Sequence, residues 1–184
     1  MSDTLYSRRS FIKTGSTVTG GLLISFFIPA AAKKLGELPT GNTMFAPNAY
    51  LNVLPDNNIK IVLSHVEMGQ GVWTTLPMLI AEELDCDWNK VIVEHAPPGQ
   101  PFVHTVYGLQ ITGGSSSTWS EFERYRNAGA TARALLVQAA AQKLNVDPAS
   151  CKTENGFVIA GDKRISYGEL TEAASKLPPP ANVQ

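Results

Sequence analysis

Apolar positions come in short β-like blocks through the first part of the chain body and on helical spacing after that. Tyr50 to Leu54 and Ile59 to Ser64 flank Pro55-Asp56-Asn57-Asn58, which predicts a hairpin with turn formers between two strands. Leu76, Leu79, Ile80 and Leu84 share one helical face and predict a helix from about Val72 to Leu84. Pro77 suits such a helix only in its first turn, where the missing N–H has no partner to lose. Val91-Ile92-Val93 predicts a short buried strand, broken by Pro97-Pro98-Gly99-Gln100-Pro101. The longest helix is expected from Thr118 to about Leu144, with Thr118 and Glu121 at the spacing of a capping box. Phe122, Tyr125, Gly129, Ala132, Leu136 and Ala140 form its stripe, small enough for close packing. Asn155-Gly156, between Thr153-Glu154 and Phe157-Val158-Ile159, signals a second hairpin, and Ser166 opens a last helix ending near Leu177. The order β-β-α-β-α-β-β-α predicts an α+β fold, a two-layer mixed sheet with helices on one face. No internal repeat is present.

The segment ahead of this body reads differently. Ser7-Arg8-Arg9-Ser10-Phe11-Ile12-Lys13 is a twin-arginine export pattern, the address of a bacterial pathway that carries folded proteins to the periplasm. Val18 to Ile28 is a moderately apolar core, and Ala30-Ala31-Ala32 offers small residues to a signal peptidase. The apolar stretch is shorter than the about 20 residues of a membrane span. The expected division is a signal over 1–32, a linker over 33–47, a domain over 48–177 and a proline-rich tail over 178–184. Membrane contact is then expected only during export, the alternative being an uncleaved signal kept as an N-terminal anchor.

The net charge of −1 gives no electrostatic footprint for nucleic acid. Charged residues are 17% of the chain, against about 25% in ordinary soluble domains, which points to surface buried against a partner or more of the same protein. Cys86 and Cys151 stand outside any metal-type spacing. A disulfide is permitted in the periplasm, and two small buried thiols are the default.

Two loops carry the candidate chemistry. Gly69-Gln70-Gly71 lies between a predicted strand and a helix start. There, glycines let a ligand approach the backbone, the helix end offers free N–H groups, and Gln70 both donates and accepts. Alone this signal is weak, because glycine at a strand–helix turn is more often plain geometry. Thr112-Gly113-Gly114-Ser115-Ser116-Ser117-Thr118 brings glycines and hydroxyls directly ahead of the longest helix, suited to a phosphate or polar heterocycle or, alternatively, a Ser-rich loop with an ordinary cap. A strand–helix–strand unit would bring both loops to one sheet edge.

Other residues stay bland. No third glycine completes a dinucleotide fingerprint, and no Walker lysine follows either loop. His65, His95 and His104 lack metal-ligand spacing and read as satisfied or surface histidines. Glu67 reads as a general base beside Gln70 or as a solvated loop carboxylate. Glu82 and Glu83 read as the exposed face of their helix. The serines lack a His/Asp partner set for nucleophilic catalysis. Trp73 and Trp119 read as packing residues or as stacking surfaces for a ligand.

Val66-Glu67-Met68-Gly69-Gln70-Gly71-Val72-Trp73-Thr74 resembles a molybdopterin-binding motif of the molybdenum hydroxylases, the xanthine dehydrogenase and aldehyde oxidase family. Thr112-Gly113-Gly114-Ser115-Ser116-Ser117 resembles their second pterin-contacting loop. With the export signal and Leu76-Pro77-Met78-Leu79-Ile80-Ala81-Glu82-Glu83-Leu84, the chain is most similar to large (beta) subunits of the isoquinoline 1-oxidoreductase type, up to about Leu177.

The resemblance implies a molybdenum centre held by molybdopterin cytosine dinucleotide. Such enzymes hydroxylate N-heterocycles or oxidise aldehydes with oxygen from water. Gly69, Gln70 and Gly71 would then lie near the pterin and the metal's ligands, with Gly113, Gly114, Ser115, Ser116 and Ser117 on the pterin or its phosphates. Metal would be held through the pterin and not by side chains of this chain.

Family large subunits are several times longer, and their catalytic glutamate sits in a downstream Gly-x-Gly-Glu motif that nothing here matches. The chain is therefore expected to be the N-terminal part of a large subunit, whether a split subunit, a truncated gene or a cut piece, and inactive alone. No iron–sulfur cysteine pattern is present, so 2Fe-2S clusters belong to a small partner subunit. A cytochrome c is a candidate electron acceptor. Two other readings remain: a non-catalytic periplasmic module binding another anion, and a degenerate remnant.

Overall fold

The computed structural model describes residues 22–27, 47–99, 102–178, 180 and 183. Arg8 and Arg9, and the linker except Pro47, lie outside the described residues. Strand β1 (Leu22–Phe27) pairs antiparallel with β2 (Pro47–Val53), and β2 with β3 (Ile59–Leu63). Helix α1 (Val72–Leu84) crosses to β4 (Val91–His95), which runs parallel to β3. Helix α2 (Ser117–Leu144) follows. A separate antiparallel meander of β5 (Lys152–Glu154), β6 (Phe157–Ala160) and β7 (Lys163–Ser166) leads into helix α3 (Tyr167–Ser175).

The fold is α+β, but with two small sheets where a single mixed sheet was expected. The first has four strands in sequence order and the second has three. The excess comes from two places. Leu22–Phe27 lies inside the apolar stretch set aside as signal, and a mostly apolar run there, with β-favouring Ile24, Phe26 and Phe27, adds an edge strand. Lys163-Arg164-Ile165-Ser166 carries only one buried residue, Ile165, too weak an alternation to announce β7.

The first hairpin forms as its sequence predicts. Asn57 takes a φ of 70°, the Leu54 N–H donates to the Asn58 carbonyl at 2.8 Å, and the Asp56 carboxylate accepts from the Asn58 N–H. Alternate residues Ile59, Ile61 and Leu63 of β3 are buried, with Lys60 and Val62 between them half-exposed. They join Leu76, Ile80 and Leu84 of α1 and Tyr125, Leu135 and Leu136 of α2 in one core. Val158, Ile165, Tyr167 and Leu170 extend this core to the meander, so the two sheets share it.

Helices α1 and α2 meet at Gly129. A Cβ there would lie 2.6 Å from the Ile80 carbonyl oxygen and 2.8 Å from Glu83 Cβ, the close approach that the small-residue stripe predicted. Beside it, Arg126 pairs with Glu83 at 2.6 Å, so Glu83 is not simply solvated. The stripe is buried as expected at Tyr125, Gly129, Ala132, Leu136 and Ala140; its first member differs, with Phe122 exposed and Glu121 buried instead on the face of Tyr125 and Ala128. Glu121 is fully buried and pairs with Arg124 at 3.1 Å, so no capping box forms with Thr118, and α2 starts one residue earlier. The capping box occurs instead at Ser166 and Glu169, ahead of α3.

Pro77 lies inside α1, beyond the first turn. The Trp73 carbonyl therefore lacks its usual helical donor, while the flanking Leu76 and Ile80 remain fully buried. Strand β4 is not buried as expected. Within the described residues it is the open edge of the first sheet, with Ile92 exposed. Among the described residues, no helix is long and apolar enough to cross a membrane.

Candidate functional site

The two candidate loops touch. The Val66 backbone N–H donates to Thr112 Oγ1 at 2.8 Å, joining the loop that leaves β3 to the loop that enters α2. A parallel strand–helix–strand unit and an adjacent helix start produce this meeting, since loops at the same strand ends share an edge.

In the first loop Gly69 and Gly71 hold φ values of 94° and 84°, a conformation that any side chain at these two positions would make costly. The Glu67 carboxylate folds over this loop. Oε1 accepts from the N–H of Gly69 at 2.7 Å and of Gly71 at 3.0 Å, and Oε2 accepts from the N–H of Trp73 at 3.0 Å. These bonds, those from Trp73 and Gly71 foremost, lower its pKa below the usual carboxylate value. Glu67 is therefore a half-exposed loop carboxylate engaged by three backbone N–H groups and not a free base. It is the anion at the α1 N-terminus, in the place where an external anion was expected.

Gln70 is exposed and arched over the same loop. Its Oε1 accepts from the Met68 N–H at 2.6 Å and its Nε2 donates to the Val66 carbonyl at 2.7 Å. One amide hydrogen and one oxygen lone pair are left over by these two bonds. Nothing would meet a Cβ at Gly69 or Gly71 within 4 Å, so the outer face of the loop is open.

In the second loop Gly114 and Ser115 take φ values of 60° and 51°, the left-handed pair of a tight turn closed by Ser116 N–H on the Gly113 carbonyl at 3.2 Å. Gly113 faces open space, Gly114 and Ser115 are exposed, and Ser117 begins α2 half-buried. Ser116 is fully buried. Its hydroxyl donates inward to the Gly113 carbonyl at 2.8 Å and meets His104 Nε2 at 3.1 Å.

Beneath the loops lies a buried polar cluster that sequence reasoning missed. His65 and His104 are both buried and stand edge to face, with centroids 6.1 Å apart. Glu121, Arg124 and Tyr125 approach from α2, and Ser64 Oγ lies 3.2 Å from His65 Nδ1. Burial first, then the charges of His104 and Arg124, lower the His65 pKa to about 4. Burial and then Arg124 lower that of His104. The available signal was the Glu121, Arg124, Tyr125 spacing, which puts all three on one side of a helix. His95 is exposed and stacks on Trp73 at 6.2 Å, and Trp73 donates its indole N–H to the His65 carbonyl. Trp119 is exposed with its ring edge-on to His104. No cluster of three metal-ligating side chains occurs among the described residues.

A concavity of about 660 Å³ lies elsewhere, between α2 and β5 at Arg133, Val137, Cys151 and Thr153. The loop pair forms a rim and not an enclosed cavity. Cys86 and Cys151 are both free thiols and half-buried.

The model of the molybdopterin cofactor-binding domain family matches residues 10–183. Isoquinoline 1-oxidoreductase subunit beta of Brevundimonas diminuta is 37% identical over 171 residues, 89% of this chain and 21% of that protein. The membrane-bound aldehyde dehydrogenase (pyrroloquinoline-quinone) of Gluconacetobacter polyoxogenes is 32% identical over 167 residues, again 89% of this chain and 21% of that protein. The chain thus spans about a fifth of the length of these curated relatives. The fold recurs in the crystal structure of a Cu,Mo-CO dehydrogenase at a TM-score of 0.52 and 19% identity, over 86% of this chain and 20% of that one. The chain belongs to the molybdopterin cofactor-binding domain family and is a homologue of molybdenum hydroxylase subunits of the isoquinoline oxidoreductase beta type.

Proposed function

We infer that this chain supplies two cofactor-facing loops of a periplasmic molybdenum hydroxylase. The observation that carries this reading is the Val66 to Thr112 bond, which makes one surface of two open, glycine-containing turns. The residues suit a pterin dinucleotide. Gly69, Gly71 and Gly113 leave space where a side chain would stand, and Gly114 and Ser115 are exposed on the same rim. Gln70 is held by its own loop in a fixed pose with one donor and one acceptor to spare. The rim's openness fits a site completed by other protein, as does the low charge content.

The bound cofactor would supply the redox chemistry, and this chain's residues would bind and orient it. Gln70 and the Gly69 and Gly71 backbone would contact the pterin end. Gly113, Gly114, Ser115 and Ser117 would contact the pterin or its phosphates. Ser116 serves from inside the turn. Glu67 holds the α1 N-terminus and leaves that end without a vacancy for a phosphate, which weighs against a module for an unrelated anion. The cofactor form proposed is molybdopterin cytosine dinucleotide, and the substrates are N-heterocycles or aldehydes with oxygen taken from water. The catalytic glutamate would come from other sequence of the large subunit. A small subunit with 2Fe-2S clusters would pass electrons on, to a cytochrome c in the proposed scheme.

Gln70→Ala in the assembled enzyme should lower molybdenum per subunit, or turnover, without changing the fold. Unchanged metal content and unchanged turnover would remove Gln70 from the site. Arg8→Lys with Arg9→Lys should leave the protein in the cytoplasm, and normal periplasmic yield on fractionation would refute the export reading.

A further inference from the structure

We propose that His104 is the positioning residue of the second loop, its ring holding Ser116 so that the Gly113–Ser116 turn keeps its cofactor-facing shape. This rests on the reading of the loops as a cofactor site. His104 Nδ1 accepts the Val106 N–H at 3.1 Å and faces the Tyr107 N–H at 3.4 Å, so that nitrogen carries the lone pair. In a neutral imidazole the proton then sits on Nε2. Nε2 donates to Ser116 Oγ at 3.1 Å, and the Ser116 hydroxyl donates to the Gly113 carbonyl at 2.8 Å. The relay runs in one direction, from the imidazole Nε2–H through the Ser116 hydroxyl to the Gly113 carbonyl, which also takes the Ser116 N–H.

The ring has little freedom. Tyr107 stacks on it at 4.5 Å, while His65 and Trp119 meet it edge-on at 6.1 Å and 6.0 Å. The backbone of His104 also closes its own loop, donating to the Leu109 carbonyl and accepting from Gly108. A rigid, 2% exposed ring thus anchors a turn whose exposed Ser115 sits at a φ of 51°, a conformation that a non-glycine residue keeps only when its surroundings hold it. Burial and the nearby Arg124 both keep His104 neutral, the state the relay requires.

The two ring nitrogens can be separated by substitution. His104→Gln places an amide N–H near the Nε2 position and preserves the bond to Ser116. His104→Asn places a carbonyl near the Nδ1 position and preserves only the bond from Val106. Both should be made in the full enzyme, expressed with its partner subunits, beside Ser116→Ala and Gln70→Ala. The readouts are molybdenum and released cytosine nucleotide per subunit, with thermal melting as a control. His104→Asn and Ser116→Ala should each lose roughly fivefold in cofactor content, the worth of about one buried hydrogen bond. His104→Gln should stay within about twofold of wild type. Equal loading of the Gln and Asn variants, or full loading of Ser116→Ala, would overturn the proposal. Wild-type enzyme without molybdenum would instead overturn the cofactor reading itself. Loss in Gln70→Ala with full loading of His104→Asn would overturn the role of His104 alone.

Discussion

Glu67 reaches over the glycine loop to Trp73, placing Oε2 3.0 Å from the backbone nitrogen in the first turn of α1. The same carboxylate takes the N–H groups of Gly69 and Gly71, so a single side chain fixes the loop and neutralises the helix end. Its pKa lies below the ordinary 4.5 because the backbone bonds favour the charged form. The unfolded chain therefore binds a proton at higher pH than the folded one. The contribution of Glu67 is complete above about pH 4.5 and is lost as pH falls through the folded value. Melting of wild type and Glu67→Gln from about pH 3 to 7 should show a gap that is widest near neutrality and closes in acid. A gap independent of pH would contradict the charge-based role.

His65 acts over a different range. Its pKa falls from 6.5 to about 4, through burial and then the positive fields of His104 and Arg124. The unfolded chain takes up the proton first, so stability is full above pH 6.5 and declines as pH drops from there to about 4. The loss should reach about 2 kcal/mol, less than the full shift implies because water enters as the site opens. His65→Gln should flatten the wild-type slope between pH 6.5 and 4 in denaturant titrations. An unchanged slope would assign it to other groups.

Gly129 sets the spacing of α1 and α2. Gly129→Ala gains up to about 1 kcal/mol in helix propensity but drives a methyl group into the Ile80 carbonyl and Glu83 Cβ. Backbone cannot yield as a side-chain tip does, so a net loss of about 1–2 kcal/mol is expected. Urea unfolding measures it, and a stabilised variant would show that the helices separate freely.

Cys86 should resist alkylation in the native state. Burial pushes its thiol up to about 12, leaving almost no thiolate at pH 8. Iodoacetamide labelling read by mass spectrometry should modify it only after denaturation. Native labelling at the rate of a free thiol would place it on an accessible surface.

The first hairpin, α1 and the Asn155-Gly156 turn were legible because turn formers and periodic apolar residues agree there. The loops were legible as a pair, and their contact through Val66 and Thr112 followed from strand–helix–strand geometry. The occupant of the α1 N-terminus was not. Glu67 has ordinary composition for a loop, and only the fold shows its carboxylate turned back on three N–H groups. The histidine cluster was hidden for a related reason: His65 and His104 are distant in sequence, and neither pattern of apolar spacing includes them. The stripe of α2 was legible from Tyr125 to Ala140 but not at its start, because a glutamate is seldom a core residue, yet Arg124 makes Glu121 one. Strand β7 escaped because its burial rests on Ile165 alone.

The Asn57 side chain accepts the Gly168 N–H at 3.0 Å, across 111 positions of sequence, and Gly168 lies directly against the Pro55 carbonyl. The early hairpin turn thus finishes its bonding only when the start of α3 has been synthesised and docked. Closing so long a loop is entropically costly and slow. A chain that has not yet docked α3 leaves the socket at Pro55 and Asn57 open, so an early turn depends on one of the last segments made.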